Sequence, residues 1–282
     1  MSSSSRTIKQ IVEPVTVMEG AGVRLKRSIA SFHLNYVDPF LLFDHFGSDN
    51  PEDYLSGFPM HPHRGIETVT YMLAGKVNHR DSLGNSGSIR AGDVQWMTAG
   101  RGIMHEEMPE PVAGKMEGFQ LWINLAAKEK MTQPAYRDVT VEQIPQIDLA
   151  QGVKVRVIAG NVRGIPGPVT GISIDPTYID VYIPPGANFS HSTVPDHSAF
   201  VYVFEGQGNF AKDKGADIAQ PKLVVFNEGS RIDVQTEDQS VRFLLISGRP
   251  LHEPIARYGP FVMNTKEEIK KALEDLENGT FV

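Results

Sequence analysis

Two short ligand-rich runs govern what this chain can fold into: His61-Pro62-His63 and His105-Glu106-Glu107, with 41 residues between them. Side chains two positions apart on an extended strand share a face, so His61 pairs with His63 and His105 with Glu107, while Glu106 points away. The intervening stretch is long enough for several strands and tight turns. If it doubles back to set the two runs face to face inside a small barrel, three imidazoles and a carboxylate converge on one point, as a divalent transition metal requires. The expected metal ligands are therefore His61, His63, His105 and Glu107.

The surrounding pattern is that of short strands. Ile8 to Met18 and Val23 to Ser28 alternate apolar with polar residues, Pro39 to Phe43 is a buried apolar run, and Ser48 to Gly57 is a loop. Ile66 to Leu73 alternates with period two and stops at Gly75, Val77 to Arg80 returns, and Val94 to Thr98 follows the turn at Ala91-Gly92-Asp93. Gly100 and Gly102 stand just before the second ligand pair, where they allow unusual backbone angles and a close approach of the chain to whatever fills the barrel. Phe119 to Leu125 alternates strictly, with Phe119, Leu121, Ile123 and Leu125 on one face and Gln120, Trp122 and Asn124 on the other. Ala126 to Gln146 reads as a polar crossing with a strand around Arg137 to Val141, after which strands resume at Val153 to Ile158, Tyr178 to Ile183 and His197 to Phe204. The chain closes on its one helix: Thr265 to Glu268 is a capping box, Ile269, Ala272, Leu273 and Leu276 form an apolar stripe that should pack across a sheet, and Gly279 stops it.

At 282 residues the chain is long enough for two domains, each with its own core. The formal charge of −7 argues against a broad electrostatic grip on nucleic acid or an anionic membrane. The absence of cysteine removes disulfides, thiolate ligands and cysteine nucleophiles together. The start, Met1 to Arg6, has no apolar core of a leader peptide and reads as a frayed tail, and no stretch approaches a membrane span, so an intracellular, monomeric protein is expected, cytoplasmic or, in a eukaryote, also nuclear.

Many short strands with regular turns predict an all-β architecture of the jelly-roll kind. Gly57 to Gly75, with His61, His63 and Glu67, resembles the first motif of the cupins, and Gly92 to His105 resembles the second. Closer still, His61-Pro62-His63-Arg64-Gly65-Ile66-Glu67-Thr68-Val69 and Gln95 to His105 resemble the pirins, a bicupin family, over nearly the whole chain. The resemblance implies two tandem cupin-type jelly-roll β-barrels with a C-terminal α-helix: residues 1–135 as a metal-binding domain, and residues 136–282 as a second domain carrying the helix. In generic cupins the acidic ligand is the motif-one glutamate, here Glu67; in pirins it is the glutamate two residues past the third histidine, here Glu107. Strand parity favours Glu107 over Glu106 independently; Glu67, four residues past His63, also has ligand-compatible parity if the strand is regular, which a bulge would reverse, and is expected as a supporting or structural carboxylate. Arg64 and Arg101 are expected in structural ion pairs, and His45 as a hydrogen-bonded bystander.

Registering Gly206 on Gly75 puts Ser192, Val194 and Ser198 where His61, His63 and Glu67 stand, and registering Gly229 on Gly100 puts Val234 at His105 and Thr236 at Glu107. His191 and His197 have the wrong spacing to replace them. The second domain is thus expected to be apolar inside and metal-free. Three neutral imidazoles and one carboxylate suit iron(II) first, with nickel, cobalt, manganese or copper compatible, and leave open positions for guests. Pirins that resemble this chain have quercetin 2,3-dioxygenase activity, which implies a small aromatic substrate, dioxygen, and Glu107 as both ligand and general base. The resemblance also implies an alternative, a transcriptional co-regulator acting through protein partners.

Overall fold

The computed structural model describes residues 4–111, 114–210 and 217–282. They form two compact β units, and no helix among them is long and apolar enough to cross a membrane. The first barrel comprises residues 15–31, 35–141 and 251–282. Its larger sheet runs, edge to edge, Ala135–Val139, Val94–Thr98, Ile66–Ala74, Met116–Asn124, Phe40–Ser48, Val23–Ile29, Val15–Glu19. Its smaller sheet runs Phe58–His63, Ile103–Pro109, Lys76–Asp81, Ser86–Arg90. Alternation along Met116–Asn124 buries Phe119, Leu121 and Ile123 in the core, while Gln120 and Trp122 on the opposite face line a cavity.

The second barrel comprises residues up to Pro14, 32–34 and 142–250. Its main sheet is ordered Ile8–Val12, Lys222–Phe226, Ser198–Asn209, Val241–Gly248, Thr177–Ile183, Lys154–Ala159, Gln146–Asp148. Its interior is apolar, as expected: Val157, Val181, Val201, Phe243 and Leu245 are fully buried in one cluster, which also contains Val234, the residue registered on His105. Thr236, registered on Glu107, donates its hydroxyl to the carbonyl of Pro184 at 2.6 Å.

A linear cut at 135/136 is corrected in three places. The strand Ala135–Val139 completes the first sheet by pairing with Val94–Thr98, which moves the crossing to 141/142. Ile8–Val12 belongs to the second barrel, because the edge of Lys222–Phe226 is hydrogen-bonded by it. The C-terminal hairpin and helix belong to the first barrel, where Phe261, Met263, Ile269, Ala272 and Phe281 make a shared apolar cluster. Exchanged ends of this kind leave no mark on local periodicity.

The capping box is present, with Glu268 N–H donating to the Thr265 hydroxyl and the Thr265 N–H to the Glu268 carboxylate. The helix packs on the hairpin Ala256–Tyr258/Phe261–Met263 rather than across a large sheet, and Leu276 is 36% exposed while Asp275 is buried. Met1 to Ser3 lie outside the described residues, but the rest of the expected tail is ordered. Ser5 bridges to Arg231, and the buried Arg6 donates to the Thr193 hydroxyl at 2.8 Å and the His197 carbonyl at 2.8 Å. Lys130, placed by sequence in a polar crossing, is 1% exposed; its ammonium donates to the Gly65 and Val262 carbonyls and to Asn124 Oδ1.

Candidate metal centre

His61 and His63 end one strand of the smaller sheet, and His105 lies directly across from His61 on its antiparallel neighbour. The strand Ile103–Pro109 buries Ile103, His105 and Glu107 on one side and leaves Met104 and Glu106 half-buried on the other, where Glu106 pairs with Arg80. A bulge in the partner strand, between the positions opposite His105 and Glu107, does not disturb this alternation, because pairing with Lys76–Asp81 stays in register.

One nitrogen from each of His61, His63 and His105 lies within 4.8 Å of the others. The Nε2 atoms of His61 and His63 are 3.1 Å apart. Nδ1 of His61 is 2.9 Å from the Pro59 carbonyl, which can only accept, so Nδ1 carries a proton and Nε2 is the nitrogen that a neutral ring would offer to a cation. Nδ1 of His105 is 2.9 Å from the Tyr136 hydroxyl, and its buried Nε2 has no hydrogen-bond partner among the described residues. Burial, reinforced by the neighbouring imidazoles, holds the pKa values of His63 and His105 well below 6.5. Both are therefore neutral, the form a cation requires. Converging lone pairs and an orphaned buried nitrogen fit a divalent metal.

Glu107 faces the same cavity but does not join the three-nitrogen group. The Thr70 hydroxyl lies 3.0 Å from its Oε1 and 2.7 Å from Gln120 Oε1. A hydroxyl has one proton to give, so both contacts are satisfied when Glu107 is itself protonated or when Gln120 turns its amide nitrogen to Thr70. Burial pushes the Glu107 pKa up, against a smaller pull from His61 and Thr70.

Glu67 lies elsewhere. It accepts from Trp96 Nε1 at 3.1 Å and the Thr98 hydroxyl at 2.8 Å, on the face of Ile66–Ala74 opposite Thr70. The chain turns at Gly65, with φ of +79°, so the even spacing from His63 to Glu67 no longer means a shared face. A Cβ at Gly65 would stand 2.0 Å from the Val262 carbonyl. Gly100 and Gly102 also adopt positive φ, but their close approaches are to Thr132 and Phe281 rather than to the barrel interior. Arg64 is a structural residue, donating to Asp275 at 2.8 Å and lying over the Phe281 ring, and Arg101 is exposed. His45 is buried within the strand Phe40–Ser48 and paired with Glu117 at 3.0 Å.

The cavity beside the histidines has a volume of about 570 Å³, with apolar walls including Val23, Leu25, Leu42, Phe46 and Phe58. Trp122 meets His63 edge to face, ring centroids 5.0 Å apart. His79, opposite Glu107 on the adjacent strand, stacks on Tyr136. Sequence reasoning sorted Trp122 and Gln120 onto one face without showing that this face is the cavity. His79 had the parity to be found; Tyr136, and Arg257, which also lines the cavity, carried no local signal.

The family model for Pirin matches residues 22–123, and that for the Pirin C-terminal cupin domain matches residues 178–282. A Pseudomonas aeruginosa protein, named provisionally as a quercetin 2,3-dioxygenase, is 46% identical over 266 residues, 93% of each chain. Human pirin is 43% identical over 267 residues, 92% of this chain and 88% of its own. The crystal structure of quercetin 2,3-dioxygenase from Acinetobacter baumannii superposes with a TM-score of 0.90 at 34% identity, covering 99% of both chains.

Proposed function

The chain belongs to the pirin family of the cupin superfamily, and from that premise we propose that its first barrel is the site of a metal-dependent dioxygenase acting on an aromatic hydroxyl compound, flavonol-like in its reacting part. The observation that carries this is the convergence of three imidazoles, two of them buried, at one end of an apolar cavity of about 570 Å³, within the range that encloses a small aromatic molecule. The likeness to proteins named as quercetin 2,3-dioxygenases supports the same reaction class.

His61, His63 and His105 would hold the metal, iron(II) by preference, with Glu107 turning from Thr70 to complete the set. When bound, such a metal supplies Lewis-acid and redox chemistry, lowering the pKa of a coordinated hydroxyl and giving dioxygen a place to react. Glu107, sheltered from water and with a pKa already pushed upward, is suited to accept the proton of the substrate hydroxyl. Thr70 receives or returns a hydrogen bond as that carboxyl changes state. Trp122 and Phe58 flank the substrate ring and exclude water from the reacting end.

Metal-loaded protein is expected to consume quercetin only in the presence of dioxygen, and His105→Ala to lose at least about a hundredfold of that rate along with its metal. Absorbance and oxygen uptake, followed together with elemental analysis, check this. Flavonol loss without oxygen, or undiminished in His105→Ala, defeats the proposal.

A further inference from the structure

Two cations line the cavity, and their situations differ. Arg27 is fully engaged: its Nε and Nη2 donate to the two oxygens of Asp44 at 2.8 and 2.7 Å, and its Nη1 pairs with Glu19. Arg257 makes only long donations, each 3.4 Å, to the Leu41 and Gly259 carbonyls, and no ion pair to it is recorded among the described residues. Its guanidinium lies over the Trp122 ring, 5.0 Å from the centroid, and remains exposed toward the cavity. Burial and the charge of Arg27 push its pKa down, against a smaller pull from Asp44 and Glu19.

Trp122 connects this cation to the candidate metal centre. One ring system carries Arg257 at 5.0 Å and His63 at 5.0 Å. A guest with an oxygen at the histidines and an acidic group on Arg257 would run past Trp122, which lines the same cavity as both. A planar guanidinium with a free fork binds a carboxylate through two parallel hydrogen bonds, and stacking on an aromatic ring holds that fork in place.

We propose that the substrate is an aromatic hydroxy acid whose carboxylate is gripped by Arg257 while its hydroxyl oxygen lies at the histidine cluster. The proposal rests on the metal-site reading above and narrows its substrate class: Arg257 is a specificity residue that rewards an acidic substituent on the ring.

The test uses the full chain loaded with nickel(II) and kept free of dioxygen, so that binding is measured without turnover, and two probes of nearly the same shape, dihydrocaffeate and its methyl ester. Calorimetry is expected to show the acid binding about tenfold or more tightly than the ester, the gain typical of a charge-assisted pair. Arg257→Met is expected to bring the acid to within about twofold of the ester, and Arg257→Lys to keep part of the preference, since it retains charge without the fork. Equal affinity of wild-type protein for acid and ester overturns the proposal, whatever the variants do. So does an Arg257→Met protein that keeps the wild-type ratio. Nickel-dependent binding of the ester with no gain for the acid removes Arg257 alone; binding of both probes that ignores nickel and His105→Ala removes the metal-site reading and this proposal together.

Discussion

His105 reaches the cluster with its ring already oriented, because Tyr136 meets its Nδ1 at 2.9 Å and leaves Nε2 pointing at the other imidazoles. Outer hydrogen bonds of this kind fix both tautomer and ring angle of a metal-binding histidine. Tyr136→Phe is expected to keep the fold and lower metal affinity about 10- to 100-fold, read by competition with a chelator of known affinity. Unchanged affinity means that the barrel wall alone orients the ring. The four residues singled out from sequence illustrate what local pattern can reach. Parity alone placed Glu107 rather than Glu106 beside His105, and the structure keeps that parity. Parity misled for Glu67, because it assumes an unbroken strand and Gly65 breaks it.

Among the elements, the turn between Phe58–His63 and Ile66–Ala74 does most to shape the site. It moves the chain from the smaller sheet to the larger, so that His63 faces the cavity while Glu67, four residues on, binds Trp96 and Thr98. Three groups converge on Gly65: its carbonyl accepts from buried Lys130, its N–H donates to the Gly100 carbonyl, and its missing side chain admits Val262. Gly65→Ala combines a left-handed backbone angle with a steric overlap that backbone must absorb. It is expected to destabilise the barrel by roughly 1–3 kcal/mol and to weaken metal binding by displacing His63. Thermal unfolding with and without metal measures both effects. An alanine variant of wild-type stability means that the hairpin yields at little cost.

For the molecule as a whole, the decisive feature is that each barrel is finished by a piece from the other end of the chain: Ile8–Val12 joins the second, and residues 251–282 join the first. The latter segment brings Arg257 to the cavity and is tied down by Arg64 to Asp275 at 2.8 Å. Lys271 and Arg64 hold the Asp275 carboxyl below its ordinary 3.8. A depressed carboxylate stabilises the fold above its unfolded value and loses that contribution as pH falls through the folded one. The stability advantage of the wild type over Asp275→Asn is therefore expected to be constant at neutral pH and to shrink only below about 3.8, as melting curves of the two proteins in acid would show; an advantage independent of pH there contradicts this pairing. By itself the sequence determined the strand periods, the glycine-marked turns, the helix cap and the spacing of His61, His63 and His105, because each is set by steric and hydrogen-bonding preferences over a few neighbouring residues. The end segments each barrel recruits, the second hydrogen-bond layer around His105 and the cation facing the cavity were decided only by the tertiary structure. Those depend on which distant surfaces bury one another, and a pairing such as Arg64 with Asp275 has no signature at either end until the chain has folded.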